Sequence, residues 1–377
     1  MRQQLLFPPD PDRGVLLFVA DSAAQFLSHR LPVALAAQNA GFHVHVAAPQ
    51  DYAAQQGMES YAITCHPCTL PESGRHLPAV LAALWRLRTL FRQLQPAVVH
   101  LVASGPVLYG GLVARMIPAL VATITRADDI LGDGFWARAV CRYVFAHPRL
   151  RAIFQNEDDR TLFLEGELLK PWQTKLVRGT GVNMQQFHPT PEPEEGDPIV
   201  LLASRLRWDK GVREFVFAAR ALRQWGVPVR FVLAGELDPG QPLAIESAQV
   251  REWQAEGLVE WWGQQTDMAS TLSQAHIVCL PAWRTGLPKV LVEAAACARP
   301  IVATDVPGCR EIVINGKNGY LVPPGDSRAL SETLRHLLDH PGLRKDMARS
   351  TRQIAIREFS IGHIVDETLQ VYDEISG

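Results

Sequence analysis

Short apolar runs alternate with helical patterns along almost the whole chain, and this alternation restricts the fold more than any other feature. Val15-Leu16-Leu17-Phe18-Val19-Ala20 leads into a helical pattern that closes near Asn39-Ala40-Gly41, and His43-Val44-His45-Val46-Ala47-Ala48 is the next strand. The pattern continues through a strand at 61–64, a helix at 77–94, a strand at 98–101, a helix at 106–116 and a strand at 121–124. Residues 152–154 and 175–177 supply two further strands. Strands alternating with helices imply a parallel sheet covered on both faces. The alternation breaks at His188-Pro189-Thr190-Pro191-Glu192-Pro193-Glu194-Glu195-Gly196-Asp197-Pro198, where prolines remove donors and neighbouring acids repel. It then restarts with strands at 199–203, 229–234, 259–262 and 301–303 among helices at 212–225, 268–274, 327–338 and 342–354. The expected architecture is two doubly wound α/β domains facing a cleft: residues 1–188, a linker at 189–198, and residues 199–360, with a last helix within 361–377.

At 377 residues, 47% hydrophobic and 20% charged, the chain has enough material for two full cores. The N-terminus offers only three apolar residues together and no small-residue cleavage site, so the expectation is a cytoplasmic protein. Residues 94–114 carry no charge, but Pro96, His100, Ser104, Gly105, Pro106 and Gly110-Gly111 interrupt them; a strand, a turn and a helix explain them better than a membrane span. Six cysteines without an export signal are expected as thiols, and Cys65-His66-Pro67-Cys68 lacks a second pair to complete a zinc site. The net charge of −2 conceals ten arginines against three aspartates between Arg75 and Arg151. Some of these arginines interleave with Leu81, Leu84, Trp85, Leu87 and Phe91. Such stretches are either surface helices packed on a sheet or basic amphipathic helices lying on anionic lipid. Nucleic acid is not expected as a partner.

The stretch Arg284-Thr285-Gly286-Leu287-Pro288-Lys289-Val290-Leu291-Val292-Glu293 carries the clearest chemical signal. It follows the strand-like run 275–280, and Pro288 suits the first position of a helix, where its missing N–H costs nothing. Amides around Gly286 to Lys289, at the positive end of a helix dipole, favour a phosphate. Glu293 lies one turn beyond Lys289 and can accept two hydroxyl hydrogen bonds, although the two residues can also simply pair.

These residues, in order with others, resemble the family-4 retaining glycosyltransferases of the GT-B fold, in particular the bacterial branch that builds surface polysaccharides. The resemblance spans nearly the whole chain. It is carried by Phe26-Leu27-Ser28-His29-Arg30-Leu31-Pro32, Val99-His100-Leu101, Gly179-Thr180-Gly181-Val182-Asn183, Ala203-Ser204-Arg205-Leu206-Arg207-Trp208-Asp209-Lys210-Gly211, Gly286 to Glu293, and Asp305-Val306-Pro307-Gly308. The resemblance implies that Ser204, Arg205 and Lys210 hold the donor diphosphate and that Glu293 binds its ribose. Thr285, Gly286, Leu287 and Pro288 line the donor site, and the last helix crosses back to the first domain. Thr285 departs from the family, which usually places there the first Glu of a Glu-x₇-Glu motif that touches the donor sugar.

Two cations facing a departing diphosphate stabilise its developing charge, so Arg205 and Lys210 are the principal catalytic candidates. His100 is a third candidate at a strand end, with a packed core residue as its other reading. Gly181 either brings backbone to the donor or forms a tight turn. Ser28, His29 and Arg30 resemble the family's first loop and helix start, a region for donor phosphate or acceptor. Asp128 and Asp129 are candidates for recognising an acceptor hydroxyl, or lie in a solvated turn. No Asp-x-Asp follows a strand, the only one being Asp10-Pro11-Asp12, so neither metal nor cofactor is expected. The expected activity is transfer from a nucleoside diphosphate sugar, UDP-linked, to a lipid-linked glycan acceptor in capsule, O-antigen or exopolysaccharide synthesis. Peripheral contact with the inner membrane face would run through the basic first domain. The alternatives are a nucleotide-sugar epimerase or hydrolase on the same fold, and a silent nucleotide-binding subunit.

Overall fold

The computed structural model describes residues 13–71, 77–131 and 135–376; Asp10-Pro11-Asp12, Arg75 and Asp133 lie outside them. The chain divides into two compact units, Met1–Thr180 with Ile364–Gly377, and Gly181–His363.

In the first unit the strands are β1 (Val15–Ala20), β2 (His43–Ala48), β3 (Thr64–Pro67), β4 (Val98–Val102), β5 (Ala119–Ile124), β6 (Leu150–Phe154) and β7 (Thr174–Leu176). They form one sheet in the order β3-β2-β1-β4-β5-β6-β7, and every pair is parallel. The chain runs outward from β1 to β3 and then returns to the other side of β1 with β4. The switch point therefore lies between β1 and β4, where such sheets leave a crevice at their carboxyl ends. β5 and β6 start two residues earlier than expected, at Ala119 and Leu150, and β3 and β4 differ as well. Ala62 takes a left-handed turn (φ 56°) after the helix Tyr52–Glu59, so β3 starts at Thr64 rather than at 61. β4 runs on to Val102 because its register with β1 and β5 continues there, which makes His100 a mid-strand residue.

The last helix, Ile361–Ser376, packs Ile364, Val371, Tyr372 and Ile375 into the first unit's core beside Phe18, Phe26 and Phe42. Their helical spacing gives that helix one apolar stripe. Among the described residues no helix is long and apolar enough to cross a membrane.

The second unit holds β8 (Ile199–Ala203), β9 (Arg230–Ala234), β10 (Glu260–Gly263), β11 (Ile277–Leu280), β12 (Ile301–Thr304) and β13 (Gly319–Val322), in the order β10-β9-β8-β11-β12-β13, again parallel. β8, β11 and β12 are buried at every position. That is the expected condition of a strand covered on both faces, and it explains the unbroken apolar sequences of β8 and β11. The switch point here lies between β8 and β11.

The proline-rich stretch 189–198 has no regular structure and is fastened to this unit. Arg299 donates to Thr190 Oγ1 (2.6 Å), Arg344 forms an ion pair with Glu192 (3.1 Å), and His276 Nε2 lies 3.0 Å from the Pro193 carbonyl.

Candidate functional site

Three loops meet at the carboxyl edge of the second unit's sheet, and close backbone packing holds them there. Residues 204–211 follow β8, residues 281–288 follow β11, and residues 305–308 follow β12. The Trp283 N–H donates to the Asp209 carbonyl at 3.0 Å, joining the first two loops across the switch point. Gly211 has φ +75°, and a Cβ there would stand 1.9 Å from the Pro281 carbonyl oxygen. A Cβ on Gly308 would stand 2.0 Å from the Gly286 carbonyl oxygen. Only glycine permits either approach.

This packing places the predicted cations along one edge. Arg205 is exposed and its guanidinium is 3.4 Å from Asp238 Oδ2. Lys210 is partly buried; its ammonium is 3.9 Å from Asp209 Oδ2, while Arg207 holds the other carboxylate oxygen at 2.9 Å. Lys210 also reaches the third loop electrostatically. Burial pushes the Cys309 thiol up to about 12, and the Lys210 charge works against that rise. Ser204, between β8 and Arg205, donates its hydroxyl to the Arg205 carbonyl (3.0 Å).

On the second loop Thr285, Gly286 and Leu287 are partly exposed and Pro288 is buried. The helix begins at Lys289, one residue later than expected. Pro288 remains extended (φ −78°, ψ 113°), and its carbonyl accepts from Leu291 at 3.0 Å. Glu293 is buried, 6% exposed, and lies 3.6 Å from the Lys289 ammonium. Burial raises its carboxyl above the ordinary range, and Lys289 offsets part of that rise. A buried carboxylate with, among the described residues, one ion-pair partner and an otherwise apolar helix behind it has acceptor capacity to spare, which suits hydroxyl groups.

The first unit treats its candidates differently. His100 is fully buried. Its Nδ1 lies 2.7 Å from the Tyr372 hydroxyl and its Nε2 2.7 Å from Thr123 Oγ1, so both ring nitrogens are engaged. Burial, with Arg30 nearby, holds its pKa well below the ordinary histidine range. Of its two readings, this geometry is that of the packed core residue.

Ser28, His29 and Arg30 are not at a helix start. The helix Ala23–Asn39 begins five residues before Ser28, capped by Ser22, whose hydroxyl accepts from Gln25. Ser28 is exposed and Arg30 is buried, so the three do not share one surface. Asp128 and Asp129 open the short helix Asp128–Leu131, with Asp129 paired to Arg126 at 3.3 Å. Gly181, in the second unit, has φ +77°, and a Cβ there would meet the Ile361 backbone at 2.8 Å. Chain packing alone accounts for that glycine.

The sequence reading overlooked Asp238, Trp283 and the glycine at 308 as parts of this edge. Asp238 belongs to Gly235-Glu236-Leu237-Asp238-Pro239-Gly240, a glycine-bounded loop directly after β9, and that position was a usable signal. Trp283 is exposed, and its ring lies close enough that a Cβ on Gly325 would be 3.5 Å away. Among the described residues no group of three or more His, Cys, Asp or Glu is placed to hold a metal ion.

Residues 197–340 match the family model described as glycosyl transferases group 1, and residues 15–149 match that described as glycosyl transferase 4-like. The chain is 26% identical to the N,N'-diacetylbacillosaminyl-diphospho-undecaprenol alpha-1,3-N-acetylgalactosaminyltransferase of Campylobacter jejuni, over 95% of this chain and 98% of that protein. It is 29% identical to the putative colanic acid biosynthesis glycosyltransferase WcaL of Escherichia coli, over 46% of this chain and 48% of that one. In fold it is similar to a glycosyltransferase from Rickettsia africae (TM-score 0.80, 16% identity, 96% and 98% of the two chains). It is likewise similar to Anabaena Alr3699/HepE, solved in complex with UDP (TM-score 0.76, 19% identity, 96% and 100%).

Proposed function

We propose that this chain, which belongs to the group 1 and family-4-like glycosyltransferases of the GT-B fold, moves a sugar from a UDP-linked donor to a hydroxyl of a lipid-linked glycan. The observation that carries this reading is the meeting of the Lys210 loop and the Gly286 loop at the switch point of the second unit's sheet, with the buried Glu293 carboxylate on the helix that follows the Gly286 loop. Three independent functions come together there. Lys210 and Arg205 supply positive charge for a diphosphate, the backbone around Gly286 and the start of helix Lys289–Ala296 supply donors, and Glu293 supplies an acceptor for ribose hydroxyls. A structural relative was solved with UDP, and the relative from Campylobacter is named for transfer onto a diphospho-undecaprenol-linked sugar. Both support the choice of donor and acceptor class.

The reaction proposed is retaining. The acceptor oxygen attacks the anomeric carbon from the face of the leaving group, the bond from that carbon to the diphosphate oxygen breaks, and the acceptor proton passes to the departing diphosphate. Lys210 and Arg205 stabilise the charge that develops on the diphosphate. In the structure each faces a carboxylate, Asp209 and Asp238 respectively, and a diphosphate would take over those partners.

The loop 281–288 contains no acidic residue, Thr285 standing where a sugar-orienting carboxylate is usual in the family. That observation favours a second reading, a subunit that binds nucleotide without turning it over. Titration calorimetry with UDP, together with product analysis over a panel of nucleotide sugars, tests both. The transferase reading requires UDP binding that weakens about tenfold or more in Lys210→Ala and in Glu293→Ala, from the loss of a hydrogen bond to a charged group. It also requires sugar transfer to a lipid-linked acceptor. Binding without transfer to any acceptor supports the second reading, and unaltered binding in both variants refutes the site.

A further inference from the structure

We propose that the outer face of the helix Leu77–Leu94 docks on an anionic lipid surface. The helix packs Ala83, Leu87 and Phe91 inward against the first unit's sheet. Beside this buried face runs a second, exposed apolar row, which a helix covering a sheet does not require. Leu77, Leu81 and Trp85 are all exposed, the last two at 57% and 69%, and they follow one another at i, i+4 and i+8. Three large apolar side chains in one row are a patch, whereas scattered exposed leucines are ordinary.

The same row continues in charge. Arg88 and Arg92 stand at i+11 and i+15 from Leu77 and are exposed. One stripe thus carries leucines and an indole in its first half and guanidinium groups in its second. Complementarity selects the occupant. From Leu77 to Ala127 the sequence contains no aspartate or glutamate, so nothing on this stretch repels an anionic surface. Elsewhere on the same unit the helix Phe135–Phe145 also exposes Arg138 and Arg142. Apolar side chains entering the acyl boundary while arginines meet headgroup phosphates is the pattern of an interfacial helix, and tryptophan is favoured at that depth. A protein partner would be served by the apolar row alone.

The inference does not depend on the donor reading, and its test uses no nucleotide. The full chain is floated with vesicles of phosphatidylcholine alone and with vesicles containing about one third phosphatidylglycerol. Binding is expected to the anionic vesicles and to weaken as salt rises. Replacing Arg88 and Arg92 together by Gln should reduce partitioning about thirtyfold, taking about 1 kcal/mol per basic residue and 1.4 kcal/mol per tenfold. Leu81→Ser with Trp85→Ser should also lower binding, at every salt concentration. These side chains are exposed, so an unchanged thermal midpoint and an unchanged circular dichroism spectrum will show that the fold persists. Failure of the wild-type chain to float with anionic vesicles, or equal flotation of both double variants, overturns the proposal; capture of a protein through the same face in place of lipid would also count against it.

Discussion

Trp283 donates its main-chain N–H to the carbonyl of Asp209 at 3.0 Å, and this bond fastens the loop after β11 to the residue that adjoins Lys210. Asp209 also contacts Lys210 and Arg207 through its side chain. A single residue therefore links the cation proposed for the diphosphate to the loop proposed for the donor sugar. Asp209→Ala removes the side-chain part of that link and leaves the main-chain bond. Its expected effect is on Lys210, with catalytic turnover lowered about tenfold and the thermal midpoint nearly unchanged, because the ion pairs lost are surface-accessible. Steady-state kinetics beside a melting curve checks this.

Gly308 is where the third loop touches the second. An alanine there would place its Cβ 2.0 Å from the Gly286 carbonyl oxygen, so one backbone must move. Overpacking of this kind costs about 1–3 kcal/mol. Gly308→Ala should lower both stability and UDP affinity, while Gly342→Ala, where a Cβ meets nothing within 4 Å, should change neither. Urea unfolding and calorimetry on the two variants measure the contrast.

His100 makes stability depend on pH. Its folded pKa is held well below the ordinary value near 6.5, so the unfolded chain takes up a proton first as pH falls. Stability is then fully present above about pH 6.5 and is lost below it, at up to about 1.4 kcal/mol per pH unit. Tyr372→Phe leaves His100 Nδ1 without its partner and should cost about 1–3 kcal/mol at neutral pH. Denaturant titrations between pH 5 and 8 on the wild type and on His100→Gln follow the slope, which should diminish in the variant.

Glu293 has the opposite sign. Its folded pKa is raised by burial, so ionisation is penalised in the folded state, and stability falls as pH rises from the ordinary glutamate range near 4.3 toward the raised folded value. Relative to Glu293→Gln, the wild type should lose stability across that window and run parallel to the variant above it. A wild-type curve parallel to the variant throughout would show that Glu293 carries no such penalty.

Much of this fold was legible in the sequence because strands buried on both faces have unbroken apolar sequences; Ile199 to Ala203 and Val15 to Ala20 are examples. Less visible were elements whose signal is turn chemistry rather than periodicity. The left-handed Ala62 delays β3, and β13 hides inside Asn315-Gly316-Lys317-Asn318-Gly319-Tyr320-Leu321-Val322. The Lys210 and Gly286 loops could be located in advance because each follows a buried strand, β8 and β11. The buried group of His100, Thr123, Tyr372 and Arg30 could not, since its members come from sequence positions as far apart as 30 and 372 and only the docking of the last helix brings them together. Nothing local distinguishes a histidine that closes such a group from one offered to a ligand.

Thr285→Glu tests what the missing carboxylate does. If the loop 281–288 orients the donor sugar, the restored acid should raise turnover with some nucleotide sugar in the panel or shift the preference among them. UDP affinity should change little, since Thr285 is not assigned to the nucleotide.

A crystal structure of the chain with UDP is the most direct examination of the account. It should show the diphosphate beside Lys210 and the amides around Gly286, with ribose hydroxyls within about 3 Å of the Glu293 carboxylate. UDP located away from the edge formed by residues 204–211 and 281–289, or ribose pointing away from Glu293, would contradict it.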